Sequence, residues 1–75
     1  MQNQDRQTGT VVTWVDNAAF GFAAPHDGGP DLFIHVTQLP SGTDGLRIGQ
    51  RVSYLAQLDQ RTGKQRAVNV EVIDR

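Results

Sequence analysis

The stretch FGFAAPHDGGPDLFIH, residues 20–35, places two short apolar segments on either side of a turn. Residues 25–30, PHDGGP, form that turn, because glycine readily takes a positive φ and proline cannot donate to a β-ladder. Residues two apart in a strand share a face, so Phe20 and Phe22 project to the same side. The stretch therefore predicts two neighbouring β-strands, the first of which carries two phenyl rings on one face.

The rest of the chain shows the same organisation. No long segment follows a helical period, whereas short apolar or alternating runs recur between glycines and prolines, which is typical of a small all-β barrel or sandwich. The predicted strands cover residues 9–15, 19–24, 31–36, 50–58 and 65–73. The connection over 37–49 is predicted to hold one helical turn near 37–39, and the hairpin loop over 59–64 to place Gly63 in the left-handed region. A five-stranded sheet of this size must bend and close on itself to limit its edges.

Alternation assigns the faces of these strands. Leu32 and Ile34 are predicted to face the interior from the third strand. In the first strand, Val15 together with Val11 or Val12 is predicted to serve the core, and the two adjacent valines predict a bulge or a sharp bend. Alternation also groups Val36 with the aliphatic face of the third strand, Val52, Tyr54 and Ala56 on one face of the fourth, and Val68, Val70 and Val72 on one face of the fifth.

The second strand alone leaves the position of the aromatic residues open. Burial of a phenyl ring contributes about 1.5–3 kcal/mol, which favours the core for Phe20 and Phe22. The third strand favours the opposite interpretation, because its aliphatic face already fills the interior and leaves a ring outside. The outer face of the first three strands is therefore predicted to carry Trp14, Phe20, Phe22, Phe33 and His35. An exposed group of flat side chains indicates a binding surface, and stacking on unpaired nucleobases suits it.

Length, charge and cysteine count limit the possible functions. The 75 residues make one small domain, predicted over residues 8–75, after a polar and disordered tail over residues 1–7. The absence of cysteine excludes disulfides and thiolate metal sites. Seven Lys or Arg against eight Asp or Glu give a net charge of −1, so bulk charge cannot supply affinity for a polyanion. No apolar run approaches the roughly 20 residues of a membrane span, and a cytoplasmic location is expected.

Five segments of the chain resemble, in order and spacing, the cold-shock domain family: GTVVTW at 9–14, FGF at 20–22, DLFIH at 31–35, GQRVSY at 49–54 and AVNV at 67–70. FGF and FIH resemble the two ribonucleoprotein motifs of that family. The resemblance implies a five-stranded antiparallel OB-fold barrel that binds single-stranded RNA or DNA without catalysis or a cofactor. It further implies a role as an RNA chaperone or as a regulator of transcription or translation. By the family pattern, Trp14, Phe20, Phe22, Phe33 and His35 would stack bases, and Arg61, Lys64 and Arg66 would add flanking contacts.

Several positions depart from the family pattern. Thr13 precedes the tryptophan where the family usually has a lysine, and it is kept in the predicted nucleic-acid site. Ala18 and Ala19 stand where Lys-Gly usually opens the first motif, Ala23 replaces a large aliphatic residue, and Val36 replaces a phenylalanine. Fewer charged and aromatic contacts imply weaker binding, and smaller core side chains imply marginal stability.

The same residues bear on other functional classes. An enzyme is not expected, because the two histidines, His26 and His35, and the serines Ser41 and Ser53 form no catalytic arrangement and no phosphate-binding loop occurs. A metal site at His26, Asp27 and His35 lacks a recognisable ligand spacing. A protein-interaction barrel with reduced nucleic-acid binding remains the alternative, favoured by the acidic balance and the missing lysines. A monomer is expected, with a weak dimer through exposed strand edges left open.

Overall fold

The computed structural model describes residues 6–73, which contain five strands and one short 3₁₀ helix. The elements are β1 (Gln7–Val15), β2 (Phe20–Pro25), β3 (Leu32–His35), the 3₁₀ helix (Val36–Gln38), β4 (Arg51–Asp59) and β5 (Lys64–Val72). The strands form a closed barrel in the order β1-β2-β3-β5-β4, in which β1 also pairs with β4. The five-stranded all-β barrel predicted from the sequence is confirmed, and every predicted strand overlaps an observed one.

One pair of strands differs from the predicted antiparallel arrangement. β3 and β5 run parallel and share a bridge between Phe33 and Arg66, whereas the other neighbouring pairs are antiparallel. A parallel pair needs a long connection, and residues 36–63, which include β4, supply it here. The backbone N–H of Asn69 also donates to Oε1 of Gln38 at 3.2 Å, which adds a second link between β5 and the segment after β3.

The barrel begins earlier in the chain than predicted. Gln7 is the first residue of β1 and pairs with Tyr54. The guanidinium of Arg6 donates to Oγ of Ser53 from Nε at 3.2 Å and from Nη2 at 3.0 Å, and Nη2 also donates to the carbonyl oxygen of Asn69 at 2.7 Å. Gln7, the last residue of the predicted tail, therefore belongs to β1, and Arg6 is hydrogen-bonded to the barrel. Residues 1–5 of that tail lie outside the described part of the chain.

The core is built from aliphatic side chains and one tyrosine. Its buried residues are Val11, Ala23, Leu32, Ile34, Leu46, Val52, Tyr54, Ala67 and Val70. The predicted inward positions of Leu32 and Ile34 in β3 and of the first half of β4 are thus confirmed, whereas Val36 lies in the 3₁₀ helix and is half-buried. Val15 is 38% exposed, so the prediction that it serves the core is wrong.

β1 contains the predicted bulge. Val11 pairs with Ala23 and Thr13 pairs with Phe22, so Val12 is an extra residue in β1. A bulge shifts the alternation of side chains by one residue, which explains why Val11 is buried while Val12 is 39% exposed. The same shift exchanges the inward and outward positions over the rest of β1, up to its last residue.

β5 also departs from the alternation predicted for it. Ala67 and Val70 are both buried although they lie three residues apart, and Val68 is only half-buried. The break lies at Asn69, whose φ of +52° is left-handed, and the register with β4 shifts in the same region. The carbonyl oxygen of Asn69 accepts a hydrogen bond from the guanidinium of Arg6, which links the irregular segment of β5 to the residue before β1.

The hydroxyl of Tyr54 provides a test of this core. Tyr54 is fully buried, and its hydroxyl donates to the carbonyl oxygen of Thr8 over 3.4 Å. Burial, with a smaller contribution from the negative charge of Asp27, raises the pKa of Tyr54 above its ordinary value of about 10. The folded state holds this proton more tightly than the unfolded state. The ionisation of Tyr54 therefore leaves the free energy of unfolding unchanged below about pH 10 and lowers it as the pH rises further.

We expect Tyr54→Phe to remove this part of the alkaline loss of stability, because phenylalanine has no proton to release. Urea denaturation followed by circular dichroism, between about pH 8 and pH 11, measures the free energy of unfolding of both proteins. An equal decline above pH 10 in both would show that a different group titrates.

Candidate nucleic-acid interface

Three phenyl rings and one imidazole lie together on the outer side of β2 and β3. Phe20 and Phe33 have their ring centroids 5.4 Å apart, Phe22 and Phe33 5.9 Å apart, and Phe20 and Phe22 6.0 Å apart. The imidazole of His35 lies 6.3 Å from the ring of Phe33. All four side chains are half-buried and none belongs to the core, so the structure confirms that they lie on the outer face. We call these four residues the ring cluster.

The register of the strands aligns the ring cluster with residues of the whole barrel. Thr13 in β1 pairs with Phe22, Phe22 pairs with Phe33, Phe33 pairs with Arg66 in β5, and Arg66 pairs with Gln57 in β4. Paired residues on neighbouring strands project to the same side of a sheet. These five residues therefore form one row across all five strands, which we call the central row. It begins with a hydroxyl, continues through two rings, and ends with a guanidinium and an amide.

A second, shorter row lies beside the central row. Val15 pairs with Phe20, and Phe20 pairs with His35. Val15 is thus an outward residue beside the ring cluster, which explains its exposure and corrects its predicted place in the core. The sequence signal for this position was the bulge at Val12, because the residues that follow a bulge change faces.

The inward side of β2 explains why its rings face outward. Gly21 and Ala23 hold the inward positions. A Cβ atom at Gly21 would overlap the carbonyl oxygen of Thr13 and lie 2.6 Å from Cε3 of Trp14. No side chain fits at this point between β1 and β2, so β2 is held in the orientation that directs Phe20 and Phe22 away from the core.

The prediction that Trp14 shares the outer face is wrong. Trp14 pairs with Gly21, packs against the core residues, and makes no ring contact with the ring cluster among the residues that the structure describes. Its indole also lies against the long connection, because a Cβ atom at Gly45 would come within 2.7 Å of Nε1. Nε1 is buried and has no hydrogen-bond partner within residues 6–73. The bulge places Thr13, rather than Trp14, beside Phe22.

We expect substitution of Trp14 to affect stability more than binding. Trp14→Leu should lower the free energy of unfolding by about 2–4 kcal/mol, because it empties part of the space over Gly21 and Gly45. Trp14→Phe, which retains more of the volume, keeps the protein folded for the binding measurement. Urea denaturation gives the stability, and anisotropy of a labelled single strand gives the affinity. A tenfold loss of affinity in Trp14→Phe with an unchanged denaturation midpoint would show that the indole contacts the bound strand.

The three predicted basic contacts occupy different places. Arg66 stands next to Phe33 in the central row, and its Nη2 donates to Oε1 of Gln57 at 3.3 Å. Lys64 is the first residue of β5 and pairs with Asp59. Arg61 is exposed at the tip of the hairpin, where its backbone N–H donates to Oδ1 of Asp59 at 3.0 Å. The structure thus brings Arg66 beside the rings and leaves Arg61 at the hairpin tip.

A groove adjoins the ring cluster between the β2–β3 turn and the β4–β5 hairpin. Its volume is about 770 Å³, and its apolar walls include Phe22, Pro25, Pro30 and Leu58. Lys64 lines the same groove as Phe22, which is a member of the ring cluster. The sequence did not predict this groove or the place of Gln57 in the central row. Pairing across the hairpin predicted around Gly63 could have found Gln57, since it sets that residue opposite Arg66.

Comparisons with known proteins agree with this geometry. A family model described as the 'Cold-shock' DNA-binding domain matches residues 7–73. The chain belongs to this family. Among similar proteins, cold shock protein CapB of Pseudomonas syringae pv. tomato is 44% identical over 70 residues, which cover 92% of this chain and 97% of that protein. CapA of Pseudomonas fragi is 44% identical over 57 residues, covering 75% and 89%, and CspA of Rhizobium meliloti is 36% identical over 64 residues, covering 84% and 93%.

Membership of this family confirms the resemblance seen in the sequence. Cold-shock domains are nucleic-acid-binding proteins without enzymatic activity, which agrees with the prediction that the chain is not an enzyme. Over residues 6–73, no helix is long and apolar enough to span a membrane. Among the same residues, no group of three or more His, Cys, Asp or Glu side chains is arranged to hold a metal ion.

Proposed function

We propose that this cold-shock domain binds single-stranded RNA or DNA by stacking unpaired bases on the ring cluster. The observation that carries the proposal is the arrangement of Phe20, Phe22 and Phe33, whose centroids lie 5.4–6.0 Å apart on the outer face of a barrel with a complete core. Three phenyl rings that stay half-exposed together stabilise a fold less than the same rings would in a core, whereas a stacking surface requires their exposure. The family description, a DNA-binding domain, supports the same function.

The composition of the interface favours single strands over duplexes. Stacking on an aromatic side chain contributes about 1–3 kcal/mol per base and requires a base whose face is accessible. A duplex hides those faces and would have to be held through its phosphates instead. The central row offers one cation, Arg66, and the whole chain has a net charge of −1. The ring cluster therefore suits unpaired bases and is poorly suited to a duplex backbone.

The cellular role is proposed from the same chemistry. A protein that holds unpaired bases through stacking opposes base pairing in the bound strand, which fits an RNA chaperone or a regulator of transcription or translation. The acidic balance favours one other candidate, in which the outer rings dock a protein partner and nucleic-acid binding is reduced. The binding experiments below distinguish the two candidates, because a protein-docking surface would leave single strands unbound.

Phe33→Ala tests the role of the central ring. We expect it to weaken the binding of a labelled pyrimidine-rich single strand by about 1–3 kcal/mol, because it removes one stacking surface. The free energy of unfolding should fall by only about 1–2 kcal/mol, because the ring lies outside the core and is half-buried, although it contacts Phe20 and Phe22. Fluorescence anisotropy measures the affinity, and urea denaturation measures the stability.

Ile48→Ala is the matched control for Phe33→Ala. Ile48 is 71% exposed in the connection before β4 and is not part of the ring cluster, so its truncation should leave affinity unchanged. A collapse of stability in Phe33→Ala would mean that the ring supports the fold. Absence of binding to any single strand at low salt, by the unsubstituted protein, would refute the proposed function.

The salt dependence of binding tests the electrostatic part of the interface. With two or three phosphates neutralised, the logarithm of the affinity should fall with the logarithm of the salt concentration with a slope of about −1.4 to −2.1. Arg66→Gln should make this slope less steep by about 0.7, because one phosphate contact is lost. Arg51→Gln removes the same charge from the start of β4, six residues before Gln57, and should leave the slope unchanged. A steep slope in the unsubstituted protein would show that charge, rather than stacking, supplies most of the affinity.

A further inference from the structure

The segment that follows His35 fixes the orientation of its imidazole. His35 ends β3 and is the N-cap residue of the 3₁₀ helix at Val36–Gln38. Its Nδ1 accepts the backbone N–H of Thr37 at 3.2 Å and lies 3.0 Å from the hydroxyl oxygen of Thr37. A backbone N–H can only donate, so Nδ1 carries no proton and the neutral ring carries its proton on Nε2. The cap therefore sets both the plane and the tautomer of the imidazole.

The opposite edge of this imidazole is open. Within residues 6–73, His35 makes hydrogen bonds through Nδ1 alone. The one buried side-chain nitrogen or oxygen without a partner in the same residues belongs to Trp14, so Nε2 of His35 is in contact with solvent. The ring is tilted by 34° to that of Phe33, with centroids 6.3 Å apart. Nε2–H is therefore an accessible donor at the margin of the ring cluster.

We infer that Nε2–H of His35 donates a hydrogen bond to an acceptor oxygen of a nucleotide held at the ring cluster, and that Thr37 is the positioning residue that keeps it a donor. This inference rests on the proposed function. The other members of the ring cluster are phenylalanines, which stack on any base and form no hydrogen bonds. His35 thus adds direction to a surface that otherwise recognises only flat faces. A base carbonyl and a phosphate oxygen both supply the required acceptor.

The tautomer is tested on the free protein at neutral pH. Two-bond ¹H–¹⁵N correlation spectra of the imidazoles should show a pyridine-like Nδ1 and a pyrrole-like Nε2 for His35. His26 gives an internal comparison, because its Nδ1 and Nε2 lie 2.9 Å and 2.8 Å from the hydroxyls of Thr8 and Thr10, which can donate or accept. His26→Gln assigns the two sets of signals. A proton on Nδ1 of His35 would overturn the inference without any binding measurement.

The positioning role is tested at Thr37. Thr37→Val removes the hydroxyl but keeps the backbone N–H, whereas Thr37→Ser keeps both. We expect both variants to retain the tautomer, since the backbone donor remains. The affinity of Thr37→Val for a single strand should fall about two- to threefold, because the hydroxyl forms a second hydrogen bond to Nδ1 of His35. The affinity of Thr37→Ser should not change. Equal affinities of the two variants would remove the Thr37 hydroxyl from the positioning role.

The donor itself is tested with His35→Phe, which keeps a flat ring and loses Nε2–H. We expect a loss of affinity for oligo(dT) of about three- to tenfold. If a base carbonyl is the acceptor, the loss should disappear on a strand in which difluorotoluene replaces thymine, since that analogue keeps the shape but accepts poorly. If a phosphate is the acceptor, the loss should become smaller on a strand with methylphosphonate linkages, which lack the charge and one of the two non-bridging oxygens.

These outcomes separate the inference from the proposed function. If the unsubstituted protein binds no single strand, the proposed function fails, whatever the tautomer of His35. If it binds and His35→Phe binds oligo(dT) equally well, stacking stands and the hydrogen bond is overturned. A loss that persists unchanged on both modified strands would show that the substitution altered only the packing of the ring.

Discussion

The close approach of β1 to β2 at Gly21 is the constraint on which both the core and the outer face depend. A Cβ atom there would overlap the carbonyl oxygen of Thr13 and crowd the indole of Trp14, so the middle of β2 contributes no side chain to the interior. Ala23 is the one β2 side chain that does reach the core. The two phenyl rings of β2 must then lie outside, where they meet the ring of β3. One packing requirement therefore sets the composition of the core and the position of the rings.

This arrangement has a cost for stability. A phenyl ring moved from the surface to a core contributes about 1.5–3 kcal/mol, whereas an aromatic pair at the surface contributes about 0.5–1.5 kcal/mol. The core compensates with other contacts. Trp14 covers the spaces over Gly21 and Gly45, and Tyr54 is its largest fully buried side chain. Arg6 joins the start of the chain to β4 and to the irregular part of β5 through three hydrogen bonds. Such links matter in a chain of 75 residues, which has little apolar surface to bury.

The sequence predicted the parts of the structure in which local pattern and packing agree. Strict alternation in β3 placed Leu32 and Ile34 inside and Phe33 outside, and that single strand gave the correct orientation of the rings of β2. Prediction failed where an irregularity changes the phase. The bulge at Val12 was expected, yet its consequence for Trp14 depends on the register with β2, which the sequence of β1 alone does not contain. The positive φ of Asn69 has a weaker sequence signal than a glycine would give, so the faces of β5 were assigned wrongly.

The interface combines contacts that act only at short range. Stacking requires ring and base to touch, and the hydrogen bond assigned to His35 requires an acceptor at a set distance and angle. Charge attraction acts over about 10 Å, but a chain with a net charge of −1 provides little of it. Under the proposed function, a nucleic acid would therefore be held only after its bases have become accessible, since its phosphates alone would find few partners on this surface. A strand in which pairing has already been lost would meet that condition, so a surface that binds by stacking would discriminate by the exposure of base faces before it discriminates by charge.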